Sequence, residues 1–233
     1  MRHAFSKLLP LAILLISFGQ LQAKLDVTAD ATLGWPTGKL SDYSYGAIGI
    51  GGTVRAAVKL NSYAKVFVQG RCLDLGLDTG FTPRDNYYSD SNLDIVSDSY
   101  MISVNPGISL GKNFGGVIPY ISLMGGLTYY ASLSRISSRE IASLTMLMET
   151  KGTTWQAGGG FGAKILLWAP DDLGQARLVD SVYFDFRFEY FIGGDVEYLD
   201  IRSVRFSFNK LQYDNAIYGS EMLTVNIGMA VRF

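Results

Sequence analysis

The carboxyl-terminal segment limits what this chain can fold into more than any other part of it. In Leu223-Thr224-Val225-Asn226-Ile227-Gly228-Met229-Ala230-Val231-Arg232-Phe233, every odd position is apolar and every even position is small or polar. Side chains of a β-strand alternate faces with period two, so one face of this segment is apolar throughout and the other is not. The segment reads as the last strand of a closed sheet whose outside contacts an apolar medium, and it ends on an aromatic residue.

The same alternation recurs upstream and gives eight strands in all. Around 24–35, Leu25, Val27, Ala29, Ala31 and Leu33 oppose Asp26, Thr28, Asp30 and Thr32. Around 45–60, Ile48, Ile50, Val54, Ala56, Val58 and Leu60 oppose Gly49, Gly51, Thr53, Arg55, Ala57 and Lys59. The third strand, around 63–75, is the least regular, with Val66, Val68 and Cys72 against Gln69 and Arg71. Strands follow around 99–111 (Tyr100, Ile102, Val104, Ile108, Leu110 against Ser103, Asn105, Ser109) and 118–131 (Ile121, Leu123, Leu127, Tyr129 against Ser122, Gly126, Thr128). Two more are expected around 153–168, with Lys164 and the glycines opposite Trp155, Phe161 and Ile165, and around 181–193. The last of these is the sharpest: Val182, Phe184, Phe186, Phe188, Tyr190 and Ile192 against Asp185, Arg187 and Glu189.

The connections alternate in length. Asn61-Ser62, about 112–117 and about 169–180 are the shorter set; about 36–44, 76–98, 132–152 and 194–221 are the longer. Short turns on one rim and long loops on the other fit a bacterial outer-membrane barrel with its short turns in the periplasm. An even strand count also puts both ends of the barrel on the short-turn side. Period-two patterning alone does not say which face points outward, since a lipocalin-like barrel or a sandwich alternates in the same way with the apolar face inside. Three features favour lipid outside. The charged face is rich in glycine and small residues, as a narrow lumen requires. No segment looks like a protected edge strand. Aromatic residues gather near strand ends, with Trp35, Tyr45, Tyr129 and Trp155 towards one rim and Tyr63, Tyr120, Trp168, Tyr183 and Phe233 towards the other, like the interfacial girdles of a barrel in a bilayer.

Residues 1–23 have the layout of a secretory signal peptide: a basic start with Arg2 and Lys7, the apolar run Leu8–Ile16, and Ala23 as the expected cleavage point. Leu21 is large for its place before the cut. The rival reading, a retained membrane helix, has too short an apolar run for a hydrocarbon core of about 30 Å. Loss of Arg2 and Lys7 leaves 18 basic residues against 21 acidic ones, a formal charge of −3 without a basic tract for nucleic acid. Cys72 is the one cysteine, so no intramolecular disulfide is expected, nor a lipid anchor on a cysteine after the leader. With 26 glycines, 14 tyrosines, 13 phenylalanines and only 6 prolines, residues 24–233 suit one all-β domain.

These residues resemble the small eight-stranded outer-membrane β-barrels, the OmpA-type transmembrane domain and OmpX-type proteins. The resemblance covers essentially all of 24–233 as architecture. Its most specific parts are Leu223, Val225, Ile227, Met229, Val231 and Phe233, similar to the signal such barrels present to the outer-membrane insertion machinery, and the glycine-rich strand Gly158–Lys164. It implies an eight-stranded antiparallel up-and-down transmembrane barrel, with membrane lipid, lipopolysaccharide, the insertion machinery and periplasmic chaperones as partners. The chain stops at the last strand, so the peptidoglycan-binding domain of the OmpA type is not expected.

Candidate chemistry is sparse. The one histidine, His3, lies in the leader, and barrels that act as lipid A deacylases, palmitoyl transferases, phospholipases or proteases use a catalytic histidine. No catalytic residue, metal site or cofactor is therefore expected. Asp26, Asp30, Arg55, Lys59, Arg71, Lys164, Asp185, Arg187, Glu189 and Arg232 are expected to line the lumen. They form either an ion path or a salt-bridge network that fills a barrel whose eight strands leave just enough interior for side chains. Gly158–Gly162 lacks the following helix that a phosphate loop needs. Asp90-x-Asn92-x-Asp94 begins like a calcium loop but continues with Ile95 and Met101 where glycine and a bidentate glutamate are needed. The third and fourth long loops carry Leu144, Met146, Leu147, Met148, Val204, Phe206 and Phe208. These mark a partner surface, strands that continue above the membrane, or loops folded over the mouth. The expected role is structural or adhesive through the loops, with an extracellular protein partner. The alternative is a narrow pore or a carrier for ions or a small hydrophobic ligand.

Overall fold

A computed structural model of the chain describes residues 24–38, 41, 48–82, 92–138, 145–170, 178–199, 203–207 and 210–233. The proposed leader lies outside the described residues, as do Tyr45, Asp85, Asp90, Leu144 and Phe208. Among the described residues, twelve strands run in chain order: β1 (Leu25–Thr37), β2 (Gly49–Lys59), β3 (Ala64–Thr82), β4 (Leu93–Gly111), β5 (Val117–Ser138), β6 (Thr145–Trp168), β7 (Ser181–Gly193), β8 (Asp195–Leu199), β9 (Arg205–Ser207), β10 (Lys210–Gln212), β11 (Asn215–Gly219) and β12 (Glu221–Arg232). Eight of them close into a barrel in the order β1-β12-β7-β6-β5-β4-β3-β2, every neighbour antiparallel. The carboxyl-terminal segment is β12, and it closes the ring: Met229 stands opposite Ala29 of β1 on one side and Phe184 of β7 on the other.

The alternation places the apolar residues outside. Val54, Ile121, Leu123, Leu127, Phe161, Ile227 and Met229 are all exposed, while Thr28, Arg55, Arg71, Asp185, Arg187 and Glu189 are buried inside. An apolar belt running around every strand is far larger than the few hundred Å² that a water-soluble surface carries. A closed barrel also pairs all its strand edges, which hydrocarbon demands of any β-structure. The protein is an all-β, eight-stranded transmembrane barrel. Cys72 is exposed on the outward face of β3.

Strand lengths divide the barrel in two. β1, β2, β7 and β12 have 13, 11, 13 and 12 residues, close to the roughly 9–11 that a tilted strand needs to cross a bilayer. The contiguous strands β3, β4, β5 and β6 have 19, 19, 22 and 24. They overshoot the expected ends near 75, 99, 131 and 153 and rise above the rim as a four-stranded sheet. The overshoot escapes a period-two search because its outer face meets water in place of lipid, and its inner face mixes serine pairs with an apolar cluster. Alternation persists in it, as in Leu93, Ile95, Ser97 and Ser99 against Asp94, Val96 and Asp98, but it no longer sorts polar from apolar. β3 leaves the barrel at a register shift between Asp74 and Leu77. There Gly76 takes φ 85°, a conformation that side chains with a Cβ rarely adopt, and its N–H donates to Asp74 Oδ1 at 2.8 Å.

The segment 194–220, expected as a loop, instead holds a nested hairpin in which β8 pairs with β11 and β9 with β10. It packs on the inner face of the raised sheet: Val204, Phe206 and Leu211 meet Leu93, Ile95, Ile136 and Met148. The apolar residues of the third and fourth loops are thus largely explained by strand extension and by folding over the mouth.

Candidate functional site

Two regions gather the residues that carry chemistry: the lumen and the raised sheet. The lumen is organised around three acidic centres stacked along the barrel. Nearest the long-loop end, the Glu189 carboxylate accepts from Arg55 Nη2 at 2.6 Å, Arg71 Nη2 at 2.5 Å, Gln69 Nε2 at 3.1 Å and Asn226 Nδ2 at 3.3 Å. Arg187 Nε lies 3.1 Å from the same carboxylate without aiming its N–H at it, an ion pair lacking a hydrogen bond. Thr32 and Thr53 extend the cluster through Asn226 Oδ1. Arg55 and Arg71 lie over the rings of Phe67 and Phe191, 4.0 and 4.2 Å from the centroids.

One step down, Arg187 bridges two aspartates, with Nη2 2.5 Å from Asp30 Oδ2 and Nη1 3.0 Å from Asp185 Oδ2. Tyr120 donates its hydroxyl to Asp185 Oδ1 at 2.6 Å. At the short-turn end, Asp26 pairs with Lys65 and with Arg232 Nε at 2.9 Å, and Lys164 Nζ stands 3.8 Å away. Glycines in β6 make room for these groups. A Cβ on Gly160 would meet the Phe188 carbonyl oxygen at 2.3 Å and Glu189 Cγ at 2.8 Å, and one on Gly162 would meet Arg187 Cβ at 2.6 Å.

Of the ten expected lumen charges, Asp26, Asp30, Arg55, Arg71, Lys164, Asp185, Arg187, Glu189 and Arg232 lie inside and interact with one another. Lys59 does not join them; it has the inward phase of Arg55 but stands exposed at the end of β2. Lys65, Gln69, Asn226, Thr32 and Thr53 belong to the network without being among the expected charges. Their signal is present in the sequence, because each shares strand parity with an inward charge.

The aromatic girdle needs correction at two positions. Trp155 and Trp168 are exposed on the outer surface, and Trp35 and Tyr129 are half-buried there. Tyr120 and Tyr183 instead point into the lumen, where Tyr120 binds Asp185 and Tyr183 accepts from Arg232 Nη1 at 2.9 Å. Parity gives the reason: Tyr120 shares the face of Ser122, and Tyr183 that of Asp185 and Arg187. The outward aromatics at the short-turn rim are Tyr63, Phe114, Trp168 and Phe233. Along β6, thirteen residues separate Trp155 from Trp168; at about 3.3 Å rise and a tilt near 45°, they stand roughly 30 Å apart across the membrane. In β12, Leu223, Val225, Ile227, Met229 and Val231 keep their outward phase, and Phe233 N–H donates to the Leu25 carbonyl at 2.9 Å.

At the long-loop end of the lumen the described residues pack through apolar contact. Val196 of β8 enters a buried cluster with Leu73, Leu75, Met101, Tyr130 and Met222. Above it, Ser97–Ser134 at 2.6 Å and Ser99–Ser132 at 2.9 Å form two hydrogen-bonded rungs between β4 and β5. Higher still is the apolar cluster of Phe206 and Ile136. Asp94 and Asp98 stand in the extended β4, not in a calcium-type loop. On the raised sheet, β6 pairs with β7 only from Gln156 onward; β8 lies beside the next residues, and before them no ladder covers this edge of β6 among the described residues. Between that edge (Met146–Glu149) and Lys210–Tyr213 runs an open groove of about 570 Å³.

No family model and no curated protein matches the sequence. Solved structures of outer-membrane proteins do. Neisserial surface protein A is 16% identical, with a TM-score of 0.48, covering 90% of this chain and 97% of its own. A major outer membrane protein from Thermus thermophilus is 11% identical, with a TM-score of 0.48 and coverages of 91% and 99%. Ail, the attachment invasion locus protein of Yersinia pestis, is 14% identical, with a TM-score of 0.44 and coverages of 91% and 100%.

Proposed function

We propose that this protein is a non-enzymatic outer-membrane barrel that holds an interaction head above the bacterial surface and binds an extracellular protein through it. The observation that carries this reading is the strand-length asymmetry. Four adjacent strands of 19 to 24 residues continue past a membrane that their partners cross with 11 to 13. The overshoot past the rim, roughly 6–8 residues per strand, raises the sheet by roughly 14–19 Å once tilt is allowed for. Residues 1–23 direct export and are removed, periplasmic chaperones carry the barrel, and β12 is the strand the insertion machinery reads. Outer-membrane lipid and lipopolysaccharide surround the belt. The outer edge of β6, without a ladder partner among the described residues and flanked by exposed Met146 and Leu147, favours a partner that offers an extended segment, because only a strand satisfies alternating N–H and C=O groups.

Cells displaying the barrel are expected to adhere to a protein-coated surface, and Met146→Lys with Leu147→Lys is expected to reduce bound cells at least tenfold. The check on folding is heat-modifiable mobility on a gel. Equal adhesion by a folded variant would overturn the reading. The rival pore reading is opposed by the apolar cluster at the long-loop end and the three acidic centres in series along the lumen. Planar-bilayer recording should show no unitary openings, and regular openings lost in Arg187→Gln would restore the pore.

A further inference from the structure

Among the described residues, the short-turn end of the lumen holds more positive charge than carboxylate. Lys65, Lys164 and Arg232 all converge on Asp26, while the other carboxylates that act on them, Asp185 and Asp180, are paired with Arg187 and Lys24. Lys59, exposed on the same face, adds a fourth with no ion-pair partner among the described residues. Deeper in the barrel the balance is even: Asp30, Asp185 and Glu189 face Arg55, Arg71 and Arg187. The surplus is therefore local to the mouth.

A cavity of about 140 Å³ opens at this surplus, with Arg55, Lys59, Lys65, Lys164 and Arg232 in its wall and no carboxylate among the described residues that line it. Its size is close to that of an engineered cavity of about 150 Å³ that admits benzene, so it has room for a small polyatomic ion. Neutral donors complete the wall. Asn61 uses Oδ1 to accept the N–H groups of Tyr63 and Ala64 at 2.9 and 2.8 Å, and Asn113 Oδ1 accepts Gly116 N–H at 3.0 Å. Both amides keep their NH₂ groups to donate. Ammonium, guanidinium and amide donors on several sides of one cavity suit an anion with three or four acceptor oxygens better than chloride or a two-oxygen carboxylate.

We infer that this cavity binds a phosphate oxyanion, supplied either by the headgroup of a lipid in the adjoining leaflet or by free phosphate. The site is independent of the interaction head, so failure of one reading leaves the other standing. The test is calorimetric titration of inorganic phosphate into the folded barrel in a phosphate-free maltoside detergent, at constant ionic strength. Saturable binding is expected, weakened about tenfold by Lys59→Ala and further by adding Lys65→Gln, since each charge-assisted hydrogen bond is worth about that factor. Lys59→Ala alone is sufficient if the double variant does not fold, because Lys59 is exposed and has no ion-pair partner among the described residues. Repeating the titration in phosphatidylglycerol nanodiscs separates the sources: heat abolished in discs identifies the headgroup as occupant, and heat retained identifies free phosphate. No saturable binding in detergent, or equal affinity in a folded variant, overturns the inference.

Discussion

Replacing Glu189 with glutamine tests whether the lumen is an electrostatic core. The carboxylate is fully buried and accepts from Arg55 and Arg71, with Arg187 Nε also 3.1 Å away. Glutamine keeps the shape but removes the charge and turns one acceptor into a donor that faces a guanidinium. Breaking a buried ion pair from one side costs about 3–5 kcal/mol, because the other charge stays buried without compensation. Two hydrogen-bonded guanidiniums depend on this carboxylate, so the expected loss lies near the top of that range, about 5 kcal/mol. Arg71→Met is the instructive contrast. Arg71 leaves Nε and Nη1 without partners, and an unsatisfied buried donor costs about 1–3 kcal/mol. Methionine removes those donors, keeps apolar contact with Phe191, and leaves Glu189 paired with Arg55. Its expected effect is within about 1 kcal/mol of zero. Guanidinium unfolding from lipid vesicles measures both, because Trp155 and Trp168 report transfer of the outer surface from lipid to water. A loss under about 1 kcal/mol for Glu189→Gln, or equal losses for the two variants, would refute the assignment of Glu189 as the centre of the network.

Three further outcomes are expected. Ile121→Arg, on the lipid-facing belt of β5 opposite Phe161 and midway between the two tryptophans of β6, should cost about 2–4 kcal/mol in vesicle unfolding, whereas Leu133→Arg, outward on the raised part of the same strand, should stay within about 0.5 kcal/mol. Equal costs would misplace the membrane boundary. Gly160→Val should prevent the compact, detergent-resistant form on gels, since even a Cβ there overlaps the Phe188 carbonyl; normal mobility would show that β6 shifts freely. Phe206→Ala should cost about 3–5 kcal/mol of local stability and speed proteolysis within 194–220 while the membrane-embedded strands stay protected.

How much of this was legible depends on what surrounds each residue. In β7 and β12, lipid lies on one side and a packed lumen on the other, so polarity and parity coincide and both strands are read to within a residue or two. In the upper parts of β4 and β5 the same parity holds, but Ser97, Ser99, Ser132 and Ser134 face inward and Val96 and Leu133 face out. With water replacing lipid, polarity no longer marks a face, and the strands read as loops. Tyr120 and Tyr183 show a different limit. Their chemistry suits an interface, but a hydroxyl on an inward phase finds Asp185 or Arg232, and phase outweighs residue type. The pairing of charges across the lumen was not legible at all, because Arg187–Asp30 and Arg55–Glu189 join residues more than a hundred positions apart whose heights depend on barrel stagger.

The continuity of β3 to β6 bears on how such a head would work. A flexible loop that captures a partner must be ordered on binding, at about 1–2 kcal/mol of backbone entropy per residue. Here the ordering is already done by the ladder, since Tyr129↔Thr153 near the rim and Ser137↔Thr145 near the tip belong to one uninterrupted β5–β6 register. The nested hairpin is tied to the same ladder at its root, where Gly194 N–H donates to the Trp155 carbonyl at 3.0 Å and Ser220 N–H to the Gly194 carbonyl at 3.2 Å. A binding edge built in this way is preorganised, so more of the contact energy remains as affinity. The dependence runs in one direction. The barrel below Tyr130 and Met101 keeps its own ladders and salt-bridge network without the head, whereas the upper sheet, cut from the barrel, would lose the strands that hold its register and the cluster that seats Val196.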